Sequence, residues 1–314
     1  MDIFYSDHFV LPLPPGHRFP MSKYARLRER VLASEYAVGC RVAAAASDAE
    51  LLRVHTPDWV RRVAAGELSR AEQQAIGFPW SPQMVERSRR SVGATLAACR
   101  AALGAGTAAS LAGGTHHAFA GRGEGFCVFN DAAVAARAMQ AEDRAQRIVI
   151  VDCDVHQGNG TAAIFHGDPS VFTFSIHGAN NYPFRKEPSD LDIELADGTG
   201  DADYLRALER GLRESLQRAR AELAIYLAGA DPWAGDRLGR LSLSKQGLLN
   251  RDQLVFDACA RARLPVAVVM GGGYGEDIED TVDIHYHTIE TAAWHCAAVP
   301  AAAPARGGTG ATGS

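Results

Sequence analysis

Residues 148–160 read IVIVDCDVHQGNG, and this stretch decides the fold. Four branched apolar residues in a row are typical of a strand that is buried on both faces, as in a parallel sheet. The change to acidic residues, histidine and glycine marks the end of that strand. Asp154 and His156 are two residues apart, which places both side chains on one side of an extended chain. One metal ion can therefore bind both of them.

The second half of the chain repeats this pattern. Apolar runs at 171–177, 223–230 and 265–270 predict three more buried strands, and helical segments are predicted at about 201–220, 243–263 and 280–296. No internal repeat is present, so we predict a single α/β domain over residues 1–296, with a mostly parallel central sheet flanked by helices. Residues 178–200 are predicted to be irregular, and the Ala/Pro/Gly-rich segment 297–314 to be disordered.

The first 110 residues are expected to supply mainly flanking helices. A short strand is predicted at 3–5, a helix from Ser22 to about Ala37, a second helix starting at Pro57 and a buried, Ala-rich helix at about 83–103. The loop 77–82, GFPWSP, carries two aromatic residues that look exposed. These residues either rim a pocket or cap the edge of the core.

Composition excludes several classes of protein. The net charge of −5 is spread along the 314 residues rather than gathered in blocks, so no nucleic-acid or membrane surface is expected. The six cysteines include no Cys-x-x-Cys pair, which indicates reduced thiols rather than a zinc ribbon or a disulfide framework. No basic segment followed by an apolar run opens the sequence, so a cytoplasmic protein with small or peptide-like partners is predicted.

Polar residues follow the predicted strands, and in an open α/β sheet ligands bind beyond the carboxyl ends of the strands. Asp154, His156 and Asp231 supply two carboxylates and one imidazole. This three-ligand set leaves room for water and substrate on a Zn²⁺-type ion, whereas a structural zinc site would use four ligands. Helix capping would explain Asp231 alone but not all three residues.

Four blocks of sequence point to one family. They read GGTHHA at 113–118, DCDVHQGNG at 152–160, GAD at 229–231 and GGGY at 271–274. In this order they resemble the signature blocks of the histone deacetylase superfamily, and the resemblance extends over residues 3–295. The details QGN at 157–159 and GDRLG at 235–239 are most similar to the class IV deacetylases and their bacterial relatives.

The resemblance implies an arginase/deacetylase fold and metal-dependent removal of an acyl group, acetyl or longer, from the ε-amine of acyl-lysine. By the same resemblance, Asp154, His156 and Asp231 bind Zn²⁺, with Fe²⁺ possible in the cell. His117 would act as general base to the metal-activated water and then as general acid to the leaving amine. Tyr274 would donate its hydroxyl to the oxyanion.

The resemblance also separates the roles of the two adjacent histidines. His116 would contribute electrostatics and hydrogen bonding, with Asp152 orienting it. Many relatives carry a second Asp that orients the other histidine, but Asn159 occupies that position here. Because a neutral amide stabilises imidazolium less than a carboxylate does, the pKa of His117 should be lower than in an Asp-paired site. The variant Asn159→Asp should therefore move the acidic limb of the pH–rate profile upward.

Two further sites follow from the resemblance. A structural K⁺ ion would be bound largely by backbone oxygens, at Asp152, Asp154, His156, Ser175 and Ile176. A narrow substrate channel would be lined by Phe126, Tyr182, Gly114 and Gly272. Many deacetylases carry an acidic residue on a rim loop to hold the peptide backbone, but the matching region, 77–82, contains none. An aromatic rim there would suit an apolar or small substrate.

Three other functions remain as alternatives. An acetylpolyamine amidohydrolase performs the same chemistry on a small acetylated amine, and the sequence separates it poorly from a protein deacylase. A ureohydrolase of the same fold needs two more Asp ligands, at positions held here by Gly158 and Trp233. A catalytically inactive module that binds acyl-lysine is disfavoured by the presence of Tyr274 and both histidines. The oligomeric state is left open.

Overall fold

The central strand, β4 (Ile148–Asp152), forms where the branched apolar run predicts it. The computed structural model describes residues 1–7 and 11–298. In this part of the chain eight strands form one sheet in the order β2-β1-β3-β8-β7-β4-β5-β6, and every neighbouring pair is parallel. The other strands are β1 (Asp2–Tyr5), β2 (Cys40–Val42), β3 (Thr107–Ser110), β5 (Val171–Gly178), β6 (Leu191–Leu195), β7 (Leu223–Ala228) and β8 (Val266–Met270). The predicted α/β fold is confirmed, and the sheet is parallel throughout.

Helices cover both faces of this sheet. One face is packed by α2 (Asp48–Leu51), α3 (Pro57–Ala65), α4 (Arg70–Ile76), α5 (Pro82–Ala105), α6 (Asp131–Ala141) and α7 (Asn159–Phe165). The other face is packed by α1 (Ser22–Leu32), α8 (Asp201–Ala219), α9 (Lys245–Ala262) and α10 (Ile278–Ala298). The domain predicted at 1–296 contains all of these elements but for the last two residues of α10. The predicted tail lies, beyond Ala298, outside the described residues.

Residue alternation along β4 supplies both halves of the core. Ile148 and Ile150 belong to the apolar cluster on one face of the sheet, and Val149 and Val151 belong to the cluster on the other. All four are at most 1% exposed, so each side chain contributes ~1.5–3 kcal/mol through burial. An apolar run without polar alternation is what a strand covered on both faces requires.

Three strands were not predicted, and each departs from the usual strand pattern. β3 reads TAAS, and only its first residue, Thr107, is of the β-branched or aromatic type that is typical of strands. β6 is a half-buried edge strand within 178–200, so the prediction of an irregular segment there is wrong for residues 191–195. β2 is a three-residue edge strand. The first 110 residues therefore supply strands as well as helices.

The predicted first helix is also too long. α1 ends at Leu32, and a short 3-10 segment follows at Glu35–Gly39. Ser34 separates the two, because its hydroxyl accepts the backbone N–H of Tyr36 and so caps a new segment. The six cysteines are all free, as predicted. Among the described residues, no helix combines the length and the apolar character needed to cross a bilayer.

Candidate active site

Four adjacent strands bring the predicted site residues to one edge of the sheet. β3, β8, β7 and β4 are neighbours in that order. The loops that follow them carry, respectively, the His116–His117 pair, Tyr274, Asp231, and Asp154 with His156. Because parallel strands all end at the same edge, residues far apart in sequence meet there.

Asp154, His156 and Asp231 form a buried cluster that fits a divalent cation. One potential ligand atom from each lies within 4.8 Å of the others. The Oδ2 atom of Asp231 is buried and has no hydrogen-bond partner in the described part of the chain, although His156 Nδ1 lies 3.1 Å away. A buried, unsatisfied carboxylate oxygen beside a second carboxylate is the arrangement that a metal ion stabilises.

Gly272 shapes this cluster from the end of β8. Its backbone N–H donates to Asp154 Oδ2 at 2.6 Å. A Cβ atom at this position would lie 1.8 Å from Asp231 Oδ2, so only glycine is compatible with both carboxylates. The conformation of this glycine loop therefore fixes where the two acidic ligands point.

The charges in the cluster favour a cation. Burial and the neighbouring charge of Asp154 raise the pKa of Asp231 to about 7. Burial lowers the pKa of His156, but its contacts with Asp154 and Asp231 outweigh this and raise the pKa to about 10. The two carboxylates thus hold a proton on the imidazole. A divalent ion would displace that proton, because a metal ligand must be deprotonated.

His116 is paired with a carboxylate. Its Nδ1 donates to Asp152 Oδ2 at 2.6 Å, and both side chains are buried. The other oxygen of Asp152 accepts the backbone N–H of Asp154 at 3.1 Å. Burial lowers the pKa of His116, but the charges of Asp152 and Asp154 raise it to about 9. His116 is therefore a cation at neutral pH when no metal offsets these carboxylates.

His117 is paired with an amide that is itself held by an acid. Its Nδ1 lies 2.7 Å from Asn159 Oδ1, and the Nδ2 of Asn159 donates to Glu124 Oε1 at 2.6 Å. A carboxylate only accepts hydrogen bonds, so the NH₂ group of Asn159 faces Glu124 and its carbonyl faces the imidazole. His117 therefore carries its proton on Nδ1 and leaves the lone pair of Nε2 free.

The same surroundings keep His117 neutral. Burial lowers its pKa well below 6.5, and the positive charges of His116 and His156 lower it further. The rings of the two adjacent histidines are 4.2 Å apart, so the charge on one opposes a charge on the other. His117 is the neutral member of the pair and can accept a proton.

The backbone of Tyr274 is held by the segment 235–239, which lies within the connection between β7 and α9. The N–H of Tyr274 donates to Asp236 Oδ2 at 2.5 Å, and its carbonyl accepts from Arg237 Nε at 2.9 Å. The ring lies 6.4 Å from that of His156, centroid to centroid, and is 8% exposed. Burial and the charges of Asp231 and Asp154 raise the pKa of its hydroxyl well above 10, so it remains a hydrogen-bond donor.

Asp131, the first residue of α6, holds the loop in front of the two histidines. Its carboxylate accepts the backbone N–H groups of Gly114 and Thr115, at 3.1 and 2.7 Å. The hydroxyls of Thr95 and Thr115 donate to it as well, both at 2.6 Å. Asp131, Asp236 and Glu124 are three polar residues of the site that sequence reasoning missed. Short-range patterns do not reveal them, because their partners lie 16 to 38 residues away.

An open cavity of about 570 Å³ connects the site to the surface. Phe126 and Tyr182 lie on it, and the Tyr182 ring is 4.9 Å from that of His117 at a near-perpendicular angle. Gly114, also predicted for the channel, has a positive φ of 65°, and a Cβ there would lie 2.6 Å from Gly271 Cα. The structure thus brings the predicted channel residues beside the histidines.

Of the two alternatives for the loop 77–82, Phe78 follows the second, because it belongs to the core and not to an exposed pocket rim. This residue is 1% exposed and packs behind the channel wall, with its ring 5.4 Å from that of Phe126. Trp80 is half-buried, and its indole N–H donates to the carbonyl of Val63 at 2.8 Å. A preference for apolar substrates has no support from this loop.

The residues predicted to bind K⁺ lie at the ends of two adjacent strands. Asp152 of β4 is paired in register with Ser175 of β5, and Ile176 follows. Asp154 and His156 continue from β4, and the Ser175 hydroxyl contacts His177 Nδ1 at 2.9 Å. The five residues are therefore grouped, and their binding of a monovalent ion stays a prediction.

Cys153 lies on the opposite side of β4, in the apolar core, where burial raises its pKa to about 12.

Comparisons with known proteins agree with this geometry. The model of the histone deacetylase domain matches residues 17–289. An uncharacterised protein of Picosynechococcus sp. is 44% identical over 90% of this chain and 95% of its own length. A histone deacetylase-like amidohydrolase of Pseudomonas aeruginosa is 34% identical over 75% of this chain and 66% of its own. The crystal structure of an acetylpolyamine aminohydrolase from Burkholderia pseudomallei superposes with a TM-score of 0.74 at 22% identity, covering 93% of this chain and 98% of that one. This chain belongs to the histone deacetylase family.

Proposed function

We propose that this protein is a metal-dependent deacylase that removes an acyl group, acetyl or longer, from the ε-amine of lysine. One observation carries the proposal. A neutral histidine, with its Nε2 lone pair free, lies beside a three-ligand metal cluster, and a protonated tyrosine lies close by. These are a base, an electrophile site and an oxyanion donor, the groups that amide hydrolysis requires.

Asp154, His156 and Asp231 would hold the ion, Zn²⁺ or, in the cell, Fe²⁺. When bound, the ion polarises the acyl carbonyl and lowers the pKa of a water molecule toward neutrality. Two carboxylates and one imidazole suit such ions, and three protein ligands leave a position open for chemistry.

The side chains divide the remaining work. His117 Nε2 takes the proton from water and later gives it to the leaving amine, while Asn159 holds the opposite nitrogen of the ring. The hydroxyl of Tyr274 donates to the oxyanion that develops on the acyl oxygen. His116, held by Asp152, contributes electrostatics and hydrogen bonding next to His117. Phe126 and Tyr182 enclose the aliphatic stem of the substrate and exclude water.

The experiment that tests this function is a panel of acyl-lysine peptides and acetylated polyamines, assayed with the metal-loaded wild type and with Tyr274→Phe. We expect turnover of acyl-lysine and a loss of ~10²–10³ in kcat for the variant, the usual effect of removing one oxyanion donor. Equal rates for the two proteins would remove Tyr274 from the mechanism. A metal-loaded protein that binds acyl-lysine peptides and hydrolyses none of them would instead be a binding module.

The same panel decides between the proposed substrate and an acetylpolyamine. If the acetylated polyamines are turned over faster than the acyl-lysine peptides, an acetylpolyamine, and not acyl-lysine, is the substrate. The proposal also assigns the protein to the class IV deacetylases. It further includes a structural K⁺ ion, bound at Asp152, Asp154, His156, Ser175 and Ile176. The ion is tested by the thermal unfolding midpoint in K⁺ against Na⁺, with a higher midpoint expected in K⁺.

A further inference from the structure

The mouth of the active-site cavity is lined by arginines. Arg18, Arg237 and Arg240 lie on the cavity that reaches His117 and Tyr274, and no acidic residue is among the residues lining it. All three arginines are exposed. An open mouth that carries one sign of charge attracts the opposite charge from solution.

Two of these arginines have no acidic partner among the residues that the structure describes. Arg237 donates only its Nε, to the carbonyl of Tyr274, which anchors its side chain directly at the catalytic tyrosine. Arg18, on the segment before α1, forms no ion pair with the rest of residues 1–7 and 11–298. Arg240 differs, because its guanidinium lies 3.2 Å from Asp197 and is partly neutralised.

The carboxylate of Glu124, on the inner side of the channel, is held by other groups. Glu124 accepts hydrogen bonds from Asn159 and from the Tyr182 hydroxyl, and it lies 3.7 Å from Arg122. Its carboxylate is thus already used on the inner side of the channel wall. A ligand that enters the mouth meets the positive charges of Arg18 and Arg237 first.

The mouth also has an apolar side. Phe184 lines it and is 86% exposed, although large apolar side chains are usually covered. Leu238 lies on the same cavity. A ligand that fits this mouth therefore combines an aliphatic or aromatic part with a negative charge.

We propose that the enzyme prefers acylated amines that carry a carboxylate beyond the aliphatic stem, and that it disfavours cationic polyamines. This inference rests on the proposed function and names its substrate class. The carboxylate comes either from the free α-carboxyl group of an acyl-lysine or from an acidic residue beside the acyl-lysine in a peptide. Both sources present the same group to Arg18 and Arg237.

A pair of small substrates isolates the charge. Nα,Nε-diacetyl-lysine and its carboxamide differ only in the carboxylate, and N-acetylputrescine supplies the cationic case. We expect kcat/KM to be roughly tenfold higher for the carboxylate than for the carboxamide, as two partly screened ion pairs would give. This preference should fall as ionic strength rises. Acetyl-lysine peptides with Glu or Gln beside the lysine distinguish the second source from the first.

Substitutions assign the preference to the two unpaired arginines. The ratio of carboxylate to carboxamide turnover should fall toward one in Arg18→Gln/Arg237→Gln, and should change less in Arg240→Gln, whose partner is Asp197. An exposed arginine of α8, in Arg213→Gln, serves as the remote control. Because the readout is a ratio between two substrates, any general loss of activity in a variant cancels.

Binding separates this inference from the proposed function. The affinities of the Tyr274→Phe variant for the carboxylate and the carboxamide are measured directly, without turnover. If neither compound is hydrolysed by the wild type but the carboxylate binds more tightly, the proposed function is wrong and the mouth's preference is upheld. Turnover of both at equal kcat/KM, with equal affinities, overturns the inference alone. A preference for N-acetylputrescine overturns it as well.

Discussion

The two adjacent histidines of the site are held in different ways. His116 bonds directly to the carboxylate of Asp152 at 2.6 Å, whereas His117 bonds to the amide of Asn159 at 2.7 Å, and that amide bonds to Glu124. Burial affects both rings, yet the pKa is raised to about 9 for His116 and lowered well below 6.5 for His117. A partner at hydrogen-bond distance orients either ring, but only a carboxylate in direct contact keeps it charged.

The comparison shows how two identical side chains acquire opposite roles. Coulombic attraction weakens with distance, so a carboxylate placed behind an amide stabilises imidazolium less than one in direct contact. The imidazole of His117 is nevertheless oriented, because the hydrogen bond to Glu124 makes the carbonyl end of Asn159 face the ring. Without a bound metal, the site thus contains two positively charged imidazoles, His116 and His156, and one neutral imidazole, His117, that can accept a proton.

The largest expected effect comes from removing the base. His117→Gln should lower kcat by ~10²–10⁴, the contribution of general acid–base catalysis, and should remove the acidic limb of the pH–rate profile. His116→Gln should lower kcat less and should keep that limb, because no proton passes through His116. The measurement is kcat/KM against pH for both variants after metal loading.

Metal content, measured in parallel, controls for damage to the neighbouring ligands. Equal losses in the two variants, with the acidic limb absent from both, would show that the histidines do not divide their roles.

The second effect concerns the amide. The sequence suggested that Asn159→Asp moves the acidic limb upward, but the structure adds that such a carboxylate would face Glu124 at about the 2.6 Å of the present bond. Two carboxylates this close share a proton, which weakens the effect. The double variant Asn159→Asp/Glu124→Gln avoids this conflict, because the introduced glutamine amide donates to the new carboxylate.

The direction follows from the charge state that a base requires. A carboxylate raises the pKa of His117, and the ring is protonated, and inactive as a base, below that pKa. The acidic limb should therefore move upward by about one unit in the double variant, equivalent to a tenfold loss of kcat/KM on the acidic side. The single Asn159→Asp variant should shift it less. Identical profiles for the wild type and the double variant would disprove the role given to the amide.

The sequence predicted the parts of the fold that burial dictates. Continuous apolar runs identify β4, β5, β7 and β8, because a strand covered on both faces contains little else. β3 lies between β1 and β8 in the sheet, yet its TAAS sequence carries no such signal. α5 and α10 pack closely against β3, and this packing favours small side chains. A tertiary contact of this kind is not visible in the local sequence.

In the candidate site, too, some residues could be predicted from the sequence and others could not. Residues at the strand ends, such as Asp154 and Asp231, are recognisable because the chemistry fixes both their type and their place. Glu124 and Asp131 are not, since each acts on a partner 16 or more residues away through a contact that only the folded chain creates. Phe78 shows the opposite error, because an aromatic residue between Gly and Pro looks exposed but is buried.

The smallest expected effect comes from changing Glu124, which holds the Asn159 amide that in turn orients His117. Glu124→Leu removes the acceptor that fixes the Asn159 amide, so the amide can turn and present its NH₂ group to His117. The expected loss is roughly two- to twelvefold in kcat, the rate equivalent of the ~0.5–1.5 kcal/mol net contribution of one hydrogen bond. Glu124→Gln should lose less, because its side-chain carbonyl still accepts from Asn159.

Glu124 also accepts from the Tyr182 hydroxyl, so an effect on the channel wall must be separated from an effect on the base. Tyr182→Phe removes that second bond and leaves the bond between Glu124 and Asn159 in place. If Glu124 acts through the amide, kcat falls in Glu124→Leu and not in Tyr182→Phe, whose change is confined to KM. If the two variants lose kcat equally, Glu124 supports the channel wall, and His117 is oriented by Asn159 alone.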